Sequence, residues 1–367
     1  MTVAFYAPLK SPAHPNPSGD RQIARLLIAA IQCAGYPVFL ASRFRSLERS
    51  GDKVRQQALE KTGRSLAHRI VRKIKKGVLP RPIAWLTYHI YHKAPDWIGP
   101  EVCAALDIPY LVAEASVSPK QHDGKWISGH QRAIHCIGQA DAMIVLNLRD
   151  IECALPHAAE HTRLLQLPLF LDTNTIPSPA KRSDQDDIKL ISVAMMRPGD
   201  KQQSWQFLSR SLNYLPHSGW KLHCVGSGKL ERTIVRELES AANGNLIYHG
   251  RLEGAELFRL ISASDLFVWP AINEAMGMAL LEAGACGIPV VAGRNGGVAN
   301  VVAHGRSGLL CKGDNPESLA AAVRYLMEHK GVRIRMGNDA RKIVHDHHSL
   351  ESAAARLDNL IKQLCRK

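Results

Sequence analysis

Short apolar runs alternate with longer segments of helical periodicity along most of the chain. The first run is TVAFYA at 2–7, and it is followed by 18–35, where apolar side chains recur every three or four positions before a glycine. Runs at 36–42, 108–116 and 140–147 follow helical segments in the same way. This alternation of strand and helix favours parallel sheets covered by helices on both faces.

The alternation is interrupted near 166–187, where proline and small polar residues dominate. A second series then begins with IKLISVA at 188–194 and continues through WKLHCVG, NLIYHG, DLFVWPA, PVVAG and SGLLCK. The length of 367 residues suits two domains. We predict an N-terminal α/β domain at 1–173, a linker at 174–187, a C-terminal α/β domain at 188–349, and a last helix at 350–367 that packs back on the first domain.

Composition narrows the class of partner. The net charge of +14 and the pI near 9.5 favour a phosphorylated small molecule, an anionic membrane surface or nucleic acid. Aromatic residues make up only 6%, so specific nucleic-acid recognition through stacking is not expected. The eight cysteines form no C-x-x-C pair and no zinc-type spacing with histidine. They suit buried reduced thiols in a cytosolic protein, and no metal site is expected.

One segment is strongly basic and amphipathic. Residues 53–81 hold ten Lys or Arg and a single acid, Glu60. Its apolar positions recur every four residues, at Leu66, Ile70, Ile74 and Val78. Two interpretations stay open: a helix at an anionic membrane interface, and a helix packed on its own domain with a solvated basic face.

The N-terminus lacks the basic start and long apolar stretch of a signal peptide. No apolar run approaches the roughly 20 residues of a transmembrane helix. The sequence therefore predicts a cytoplasmic protein that binds peripherally to the inner face of the membrane.

Two glutamates, Glu274 and Glu282, lie in the small-residue stretch NEAMGMALLEAGACGIPVVAGRNGG at 273–297. After the strand DLFVWPA we predict a helix that starts near Met276 and carries Glu282. A helix N-terminus attracts phosphate, and Gly277 lets a ligand approach the backbone. The rise from Met276 to Glu282 is about 9 Å, the scale of a diphosphate with a sugar at each end. Taken alone, the two glutamates are equally consistent with solvent-exposed acids near the start of a helix.

The whole stretch resembles the retaining glycosyltransferases of family 4, which have the two-domain GT-B fold. Their hallmark is a glutamate, a glycine-containing loop, a second glutamate eight positions on, then ACGxPVV and a glycine pair. Here these are Glu274, Gly277, Glu282, ACGIPVV and the NGG at 295–297. The resemblance implies that Glu274 faces the donor sugar, that Glu282 holds the ribose hydroxyls, and that the small residues leave room for the donor. It further implies a donor site in the cleft between two facing Rossmann-like domains.

Other motifs agree in order, best over 188–330 and more loosely in the first half. VAMMRPGDK implies that Arg197 and Lys201 meet the donor diphosphate, although the spacing is one residue shorter than in the commonest form. LHCVGSG and SGDRQIARLL supply further glycines near the donor. The implied donor-binding residues are Gly19, Gly226, Gly228, Met276, Gly277, Met278 and Glu282.

One position departs from the family. Many members carry a histidine after the strand that here reads PYLVAEAS, and this chain has Glu114 there. Glu114 would then serve as hydrogen-bond partner or base. His89 and His92 in TYHIYHKAPDW are acceptor-side candidates, and each equally suits a packing or surface histidine. HDHH at 345–348 is interpreted as a polar connector rather than a metal site.

The sequence therefore predicts a retaining, nucleotide-sugar-dependent hexosyl- or related glycosyltransferase that needs no metal or other cofactor. Its catalytic residues would be Arg197, Lys201, Glu274 and Glu114. The acceptor would be a membrane-associated glycolipid or saccharide in cell-envelope polysaccharide synthesis. GSGKLERT lacks the glycine and hydroxyl positions of a P-loop, and no G-x-G-x-x-G follows the first strand. A noncatalytic nucleotide-sugar or polyanion binder and a sugar-nucleotide epimerase stay as alternatives.

Overall fold

The computed structural model describes residues 1–16, 18–146, 148–177, 187–312 and 315–365. The chain divides into two compact units, which we call unit 1 (Met1–Pro168 with Leu350–Lys367) and unit 2 (Leu169–Ser349). Each unit contains a six-stranded sheet, and the strands pair in parallel. The predicted α/β class with two parallel sheets is confirmed. Of the predicted linker at 174–187, residues 178–186 lie outside the described residues.

Unit 1 has the strand order β2-β1-β3-β4-β5-β6. Its strands are β1 (Thr2–Tyr6), β2 (Val38–Leu40), β3 (Pro82–Ile90), β4 (Tyr110–Ala115), β5 (Ala142–Val145) and β6 (Arg163–Gln166). Its first helices are α1 (Gly19–Cys33), α2 (Lys53–Lys75), α3 (Gly99–Leu106), α4 (Ile127–Gly138) and α5 (Leu148–Ala154). The central strands are almost wholly buried, as expected for a parallel sheet with helices on both faces. Ser18 caps α1 by accepting the N–H of Arg21, which fixes where this helix begins after β1.

The apolar stripe of α2 packs on unit 1 itself. Ile70 and Ile74 are each 6% exposed and belong to the hydrophobic core, and Leu66 packs against the same core. Val78 lies beyond the last turn of the helix and is exposed. Of the two interpretations, the structure therefore supports a helix packed on its own domain, because burial in the core already removes Ile70 and Ile74 from water. The basic side chains around it stay exposed, including Lys73.

Unit 2 has the strand order β12-β11-β10-β7-β8-β9. Its strands are β7 (Ile188–Val193), β8 (Trp220–Val225), β9 (Leu246–Tyr248), β10 (Leu266–Trp269), β11 (Val290–Gly293) and β12 (Gly308–Cys311). Its helices are α6 (Asp200–Leu212), α7 (Glu231–Ala242), α8 (Gly254–Ser262), α9 (Met278–Ala285), α10 (Pro316–Glu328) and α11 (Lys330–His347). Each apolar run predicted as a strand in this half is a strand.

Two predicted boundaries in unit 2 need correction. The helix expected from Met276 begins at Met278, because Gly277 adopts a left-handed φ of 75° and caps it. The HDHH segment is not a connector, since α11 continues to His347. His348 follows as a buried residue, and its Nδ1 lies 2.6 Å from the carbonyl oxygen of Leu169.

The last helix, α12 (Leu350–Leu364), returns to unit 1 and packs on α1. The hydroxyl of Tyr36, just after α1, donates to Asp358 on α12 at 2.9 Å. Within the described part of the chain, no helix is long and apolar enough to cross a membrane. The same residues contain no group of three or more His, Cys, Asp or Glu side chains arranged to hold a metal ion.

Candidate functional site

The carboxyl ends of β7 and β10 bring two of the predicted residues into contact. These strands are parallel neighbours, so the loops that follow them leave the same edge of the sheet. Lys201 lies in the first turn of α6 and Glu274 in the loop before α9. Their Nζ and Oε2 atoms are 2.5 Å apart, although the residues are 73 positions apart in sequence. The side chains are only 20% and 17% exposed, so this charged contact is largely shielded from water.

A buried tryptophan lies beneath this pair. Trp269, the last residue of β10, is 2% exposed. Its indole N–H donates to Oε2 of Glu274 at 3.3 Å, and Nζ of Lys201 lies 5.4 Å from the centre of its ring. Trp205 of α6 packs edge-to-face against it, with ring centres 4.9 Å apart. Sequence reasoning missed Trp269, yet a tryptophan in a buried run signals an indole N–H in need of a partner.

The loop that carries Glu274 is attached to α6. Asn273 donates from Nδ2 to Asp200 at 3.1 Å, and the N–H of Ile272 donates to the hydroxyl of Ser204 at 3.0 Å. Ala271 and Asn273 have left-handed φ angles of 58° and 48°, which residues with a side chain adopt at a cost. Such strained positions concentrate at binding and catalytic loops.

The glycine pair after β11 holds the backbone of the Glu274 loop. A Cβ on Gly296 would overlap the carbonyl oxygen of Glu274, and one on Gly297 would overlap that of Ala275. The N–H of Gly297 donates to the Glu274 carbonyl at 2.9 Å. These glycines therefore make room for the protein's own backbone, whereas the sequence predicted that they make room for a ligand.

Gly226 and Gly228 have the same role beside β7. A Cβ on either would overlap a carbonyl oxygen of the loop after β7, that of Ala194 or of Met196. The buried Met196 donates its N–H to Ser227 at 2.9 Å. Arg197, the next residue, is exposed, and among the described residues its side chain has no hydrogen-bond or ion-pair partner. The glycine turn thus fixes a loop that presents the exposed guanidinium of Arg197 at the edge of the sheet.

The remaining donor-side candidates lie around the start of α9. Gly277 is buried, and Met276 and Met278 are half-buried on either side of it. Glu282 lies one turn into α9 and is half-buried. The carboxylates of Glu274 and Glu282 therefore precede and follow the first turn of this helix.

In unit 1, the carboxyl ends of β3 and β4 carry a second polar cluster. His89 and Glu114 have left-handed φ angles of 60° and 56° on these neighbouring strands. Nδ1 of His89 lies 3.0 Å from the carboxylate of Asp20, the residue after Gly19 in the first turn of α1. The hydrogen bond with His89 lowers the pKa of Asp20. The buried carboxylate of Glu114 accepts the N–H of Leu146 at 2.6 Å.

Tyr88 completes this cluster, and sequence reasoning missed both Tyr88 and Asp20. Its ring is buried, and its hydroxyl has no hydrogen-bond partner among the described residues. Burial raises the pKa of Tyr88, and the charges of Asp20 and Glu114 raise it further. Gly19 is exposed, and a Cβ there would meet nothing within 4 Å.

The other histidine candidate belongs elsewhere. The ring of His92 packs edge-on against Trp126, with ring centres 5.7 Å apart. Burial lowers the pKa of His92. Its carbonyl oxygen is so close to Gly129 that a Cβ there would overlap it. The structure thus groups His89 with Glu114 and gives His92 a packing role.

Known proteins resemble this chain in sequence and in fold. Residues 178–343 match the family described as glycosyl transferases group 1. A GDP-mannose-dependent monoacylated alpha-(1-6)-phosphatidylinositol monomannoside mannosyltransferase of Corynebacterium glutamicum is 33% identical over 149 residues, 39% of each protein. A D-inositol 3-phosphate glycosyltransferase of Xylanimonas cellulosilytica is 33% identical over 238 residues, 60% of this chain and 57% of that protein.

The structure superposes on Alr3699/HepE of Anabaena, solved in complex with UDP, with a TM-score of 0.72 at 16% identity. The match covers 99% of this chain and 100% of that one, and it confirms the predicted GT-B fold class. The chain spans 39% and 57% of the lengths of the two relatives named above.

Proposed function

We propose that the chain transfers a sugar from a nucleotide sugar to an acceptor, since residues 178–343 match the glycosyl transferases of group 1. The observation that carries the proposal is the contact of Lys201 with Glu274 above Trp269. A cation and a carboxylate meet there, beside the exposed Arg197 and the start of α9. Anionic diphosphate and sugar hydroxyls are the groups that such a set of side chains recognises.

Each donor-side residue receives a role from its position. Arg197 and Lys201 stabilise the negative charge that grows on the leaving diphosphate, together with the N–H groups at the start of α9. Glu274 accepts hydroxyl groups of the donor sugar, and Glu282 accepts those of the ribose. With these cations at the diphosphate, the reaction we propose requires no metal ion.

The transfer we propose retains the configuration of the sugar. The anomeric bond breaks through an oxocarbenium-like state, and the acceptor hydroxyl attacks from the face that the diphosphate leaves. The support is the resemblance of the stretch 273–297 to retaining enzymes. The anomeric configuration of the product, determined by NMR, tests this point.

We assign the acceptor side to the cluster of Asp20, Tyr88, His89 and Glu114. Carboxylates, an imidazole and a buried hydroxyl offer donors and acceptors to a polyol, and within the described part of the chain the hydroxyl of Tyr88 has no hydrogen-bond partner. The two relatives named above are a mannosyltransferase that acts on a phosphatidylinositol mannoside and a glycosyltransferase that acts on D-inositol 3-phosphate. We therefore propose a glycolipid or saccharide acceptor of the cell envelope.

The basic face of α2 supports peripheral binding to an anionic membrane through charge. Lys73, Lys75 and Lys76 are exposed there, and each basic residue near such a surface contributes about 1 kcal/mol. Reversing all three to glutamate should abolish sedimentation with vesicles containing phosphatidylglycerol. Reversal of the exposed Arg324, Arg335 and Lys342 of unit 2 is the matched control. Equal sedimentation of wild type and the α2 variant would exclude this surface.

A panel of nucleotide sugars tests the proposed activity. Purified protein should release the nucleoside diphosphate slowly from one donor, such as UDP-glucose or GDP-mannose, and faster once a suitable acceptor is added. Tight donor binding without release of the nucleoside diphosphate, or without sugar transfer to any acceptor, would instead identify a noncatalytic binder on the same scaffold. An altered sugar on the recovered nucleotide would identify an epimerase.

A further inference from the structure

The two carboxylate oxygens of Glu274 have different surroundings. Oε2 receives both the ammonium of Lys201 and the indole N–H of Trp269. Within the described residues, Oε1 has no hydrogen-bond partner. One oxygen is therefore occupied by the protein, and the other stays available to a ligand.

The indole is the rigid part of this arrangement. Trp269 is buried at the end of β10, and Trp205 packs against its ring at an interplanar angle of 75°. A flexible lysine alone would leave the carboxylate free to rotate, because its ammonium moves with it. A tryptophan held in a strand cannot follow such a rotation, so its N–H fixes the direction of the carboxylate. The same ring lies below Nζ of Lys201 and attracts its charge.

The second tryptophan extends this support to the neighbouring loop. Nε1 of Trp205 donates to the carbonyl oxygen of Met195 at 3.4 Å, two residues before Arg197. The tryptophan pair thus contacts the Glu274 loop, Lys201 and the loop that carries Arg197. The two buried indole rings therefore support all three of these donor-side elements together.

We propose that Trp269 is a positioning residue for sugar transfer. Its indole N–H holds Oε2 of Glu274 and its ring holds Lys201, so that Oε1 is the oxygen presented to a hydroxyl of the donor sugar. The proposal rests on the proposed function, and it assigns Trp269 no contact with the reacting atoms.

Replacing Trp269 by phenylalanine separates the two contacts. Trp269→Phe keeps an aromatic ring below Lys201 and against Trp205 but removes the N–H. Loss of a hydrogen bond to a charged group should lower kcat about 10-fold. Trp220→Phe is the matched control, since Trp220 is equally buried at the opposite, amino end of β8 and donates to Pro216 at 2.6 Å. Trp220→Phe should lower Tm by about as much as Trp269→Phe does, and it should leave kcat within about 2-fold of wild type.

Binding measurements distinguish positioning from general damage. Calorimetry with UDP and UDP-glucose, and with GDP and GDP-mannose, gives the affinity that the sugar adds to the nucleotide. Trp269→Phe should reduce this added affinity and leave Kd for the nucleoside diphosphate within about 2-fold. If Kd for UDP or GDP rises as much as Kd for the nucleotide sugar, Trp269 is merely structural and the proposal is wrong.

The contact itself is tested without any donor. The six tryptophans should give six indole N–H signals in ¹⁵N-labelled protein, and Trp269→Phe identifies one of them. Glu274→Ala should shift this signal and leave that of Trp220 in place. An unmoved Trp269 signal would overturn the proposal even in an active enzyme. If the signal moves but the wild type neither binds nor cleaves any nucleotide sugar, the proposed function fails and the assigned contact stands.

Discussion

The carboxyl edges of the two sheets both carry charged and strained residues, but they are built differently. In unit 2, the backbone of the Glu274 loop lies directly against Gly296 and Gly297, and the side chains pair by charge. In unit 1, Glu114 and His89 adopt left-handed angles without glycine. The carboxylate of Asp20 holds the imidazole of His89, and the carboxylate of Glu114 accepts the N–H of Leu146. The unit 2 loop thus combines backbone packing on glycine with side-chain hydrogen bonds to α6, whereas individual hydrogen bonds hold the unit 1 residues.

This difference explains where sequence similarity is concentrated. A loop packed on glycine tolerates no Cβ, so its spacing must be kept for the loop to form at all. The family match at 178–343 covers the glycines and charges of unit 2. A contact such as Asp20 with His89 needs only two compatible side chains 69 positions apart. The unit 1 edge therefore places fewer constraints on its sequence than the unit 2 edge.

Loss of the exposed guanidinium of Arg197 should have the largest effect. Arg197→Ala removes the charge that we propose stabilises the leaving diphosphate, so kcat should fall about 100- to 1,000-fold. Because Arg197 is exposed, Tm should not change. Arg324→Ala, at an exposed position of α10, is the control for charge alone. Near-normal turnover of Arg197→Ala would remove this residue from the site.

Glycine substitutions test the comparison of the two edges directly. Gly296→Ala places a Cβ against the Glu274 carbonyl at a φ of 56°, so it should cost about 1–3 kcal/mol of stability and most of the activity. Gly19→Ala in unit 1 has open space and a helical position, so stability should be unchanged or slightly higher. Thermal unfolding followed by circular dichroism measures both. Equal losses at the two positions would contradict the contrast drawn here.

A substitution at the unit 1 edge should act on turnover alone. Glu114→Gln keeps an oxygen for the N–H of Leu146 but removes the charge beside Tyr88. We expect kcat to fall about 10-fold with the affinity for the nucleoside diphosphate intact. His92→Asn is the comparison, because the packing role of His92 predicts loss of Tm instead. A Glu114→Gln enzyme with wild-type kcat would show that this carboxylate only supports the fold.

The smallest effect is expected away from both edges. On β8 and just after β9, Nδ1 of His223 lies 2.9 Å from Nε2 of His249. Burial, His249 and Lys189 together lower the pKa of His223 to about 4. The neutral form therefore stabilises the fold above about pH 6.5, and this contribution is lost as the pH falls towards 4. The Tm of wild type should drop more between pH 7.5 and pH 5 than that of His223→Gln, and parallel curves would refute this.

The sequence predicted the fold and the main elements of unit 2 because apolar runs and glycine spacing are local signals. It placed the start of α9 two residues early, since a left-handed Gly277 looks like any other helical position. It missed β6, whose residues RLLQ are mostly exposed at the edge of the sheet and show no alternation. It left open whether the stripe of α2 meets a membrane or packs on its own domain, because an apolar pattern does not identify what covers it.

Side-chain contacts over long separations were not accessible in the same way. The resemblance implied that Lys201 and Glu274 both face the donor, but not that they form an ion pair. The sequence did not indicate that Trp269 lies beneath Lys201 and Glu274. It also did not indicate that Asp20 forms a hydrogen bond with His89. Such contacts depend on how strands order within the sheet, which apolar patterns leave open.

Nucleotide binding at the unit 2 edge is the central claim, and calorimetry with UDP and GDP tests it most directly. Wild type should bind one of them in a 1:1 complex, and Glu282→Ala should weaken it about 10- to 100-fold by removing a charged acceptor for the ribose hydroxyls. Glu239→Ala, at an exposed position of α7, should bind like wild type. Absence of binding to both nucleotides, or equal affinity of wild type and Glu282→Ala, would contradict the account.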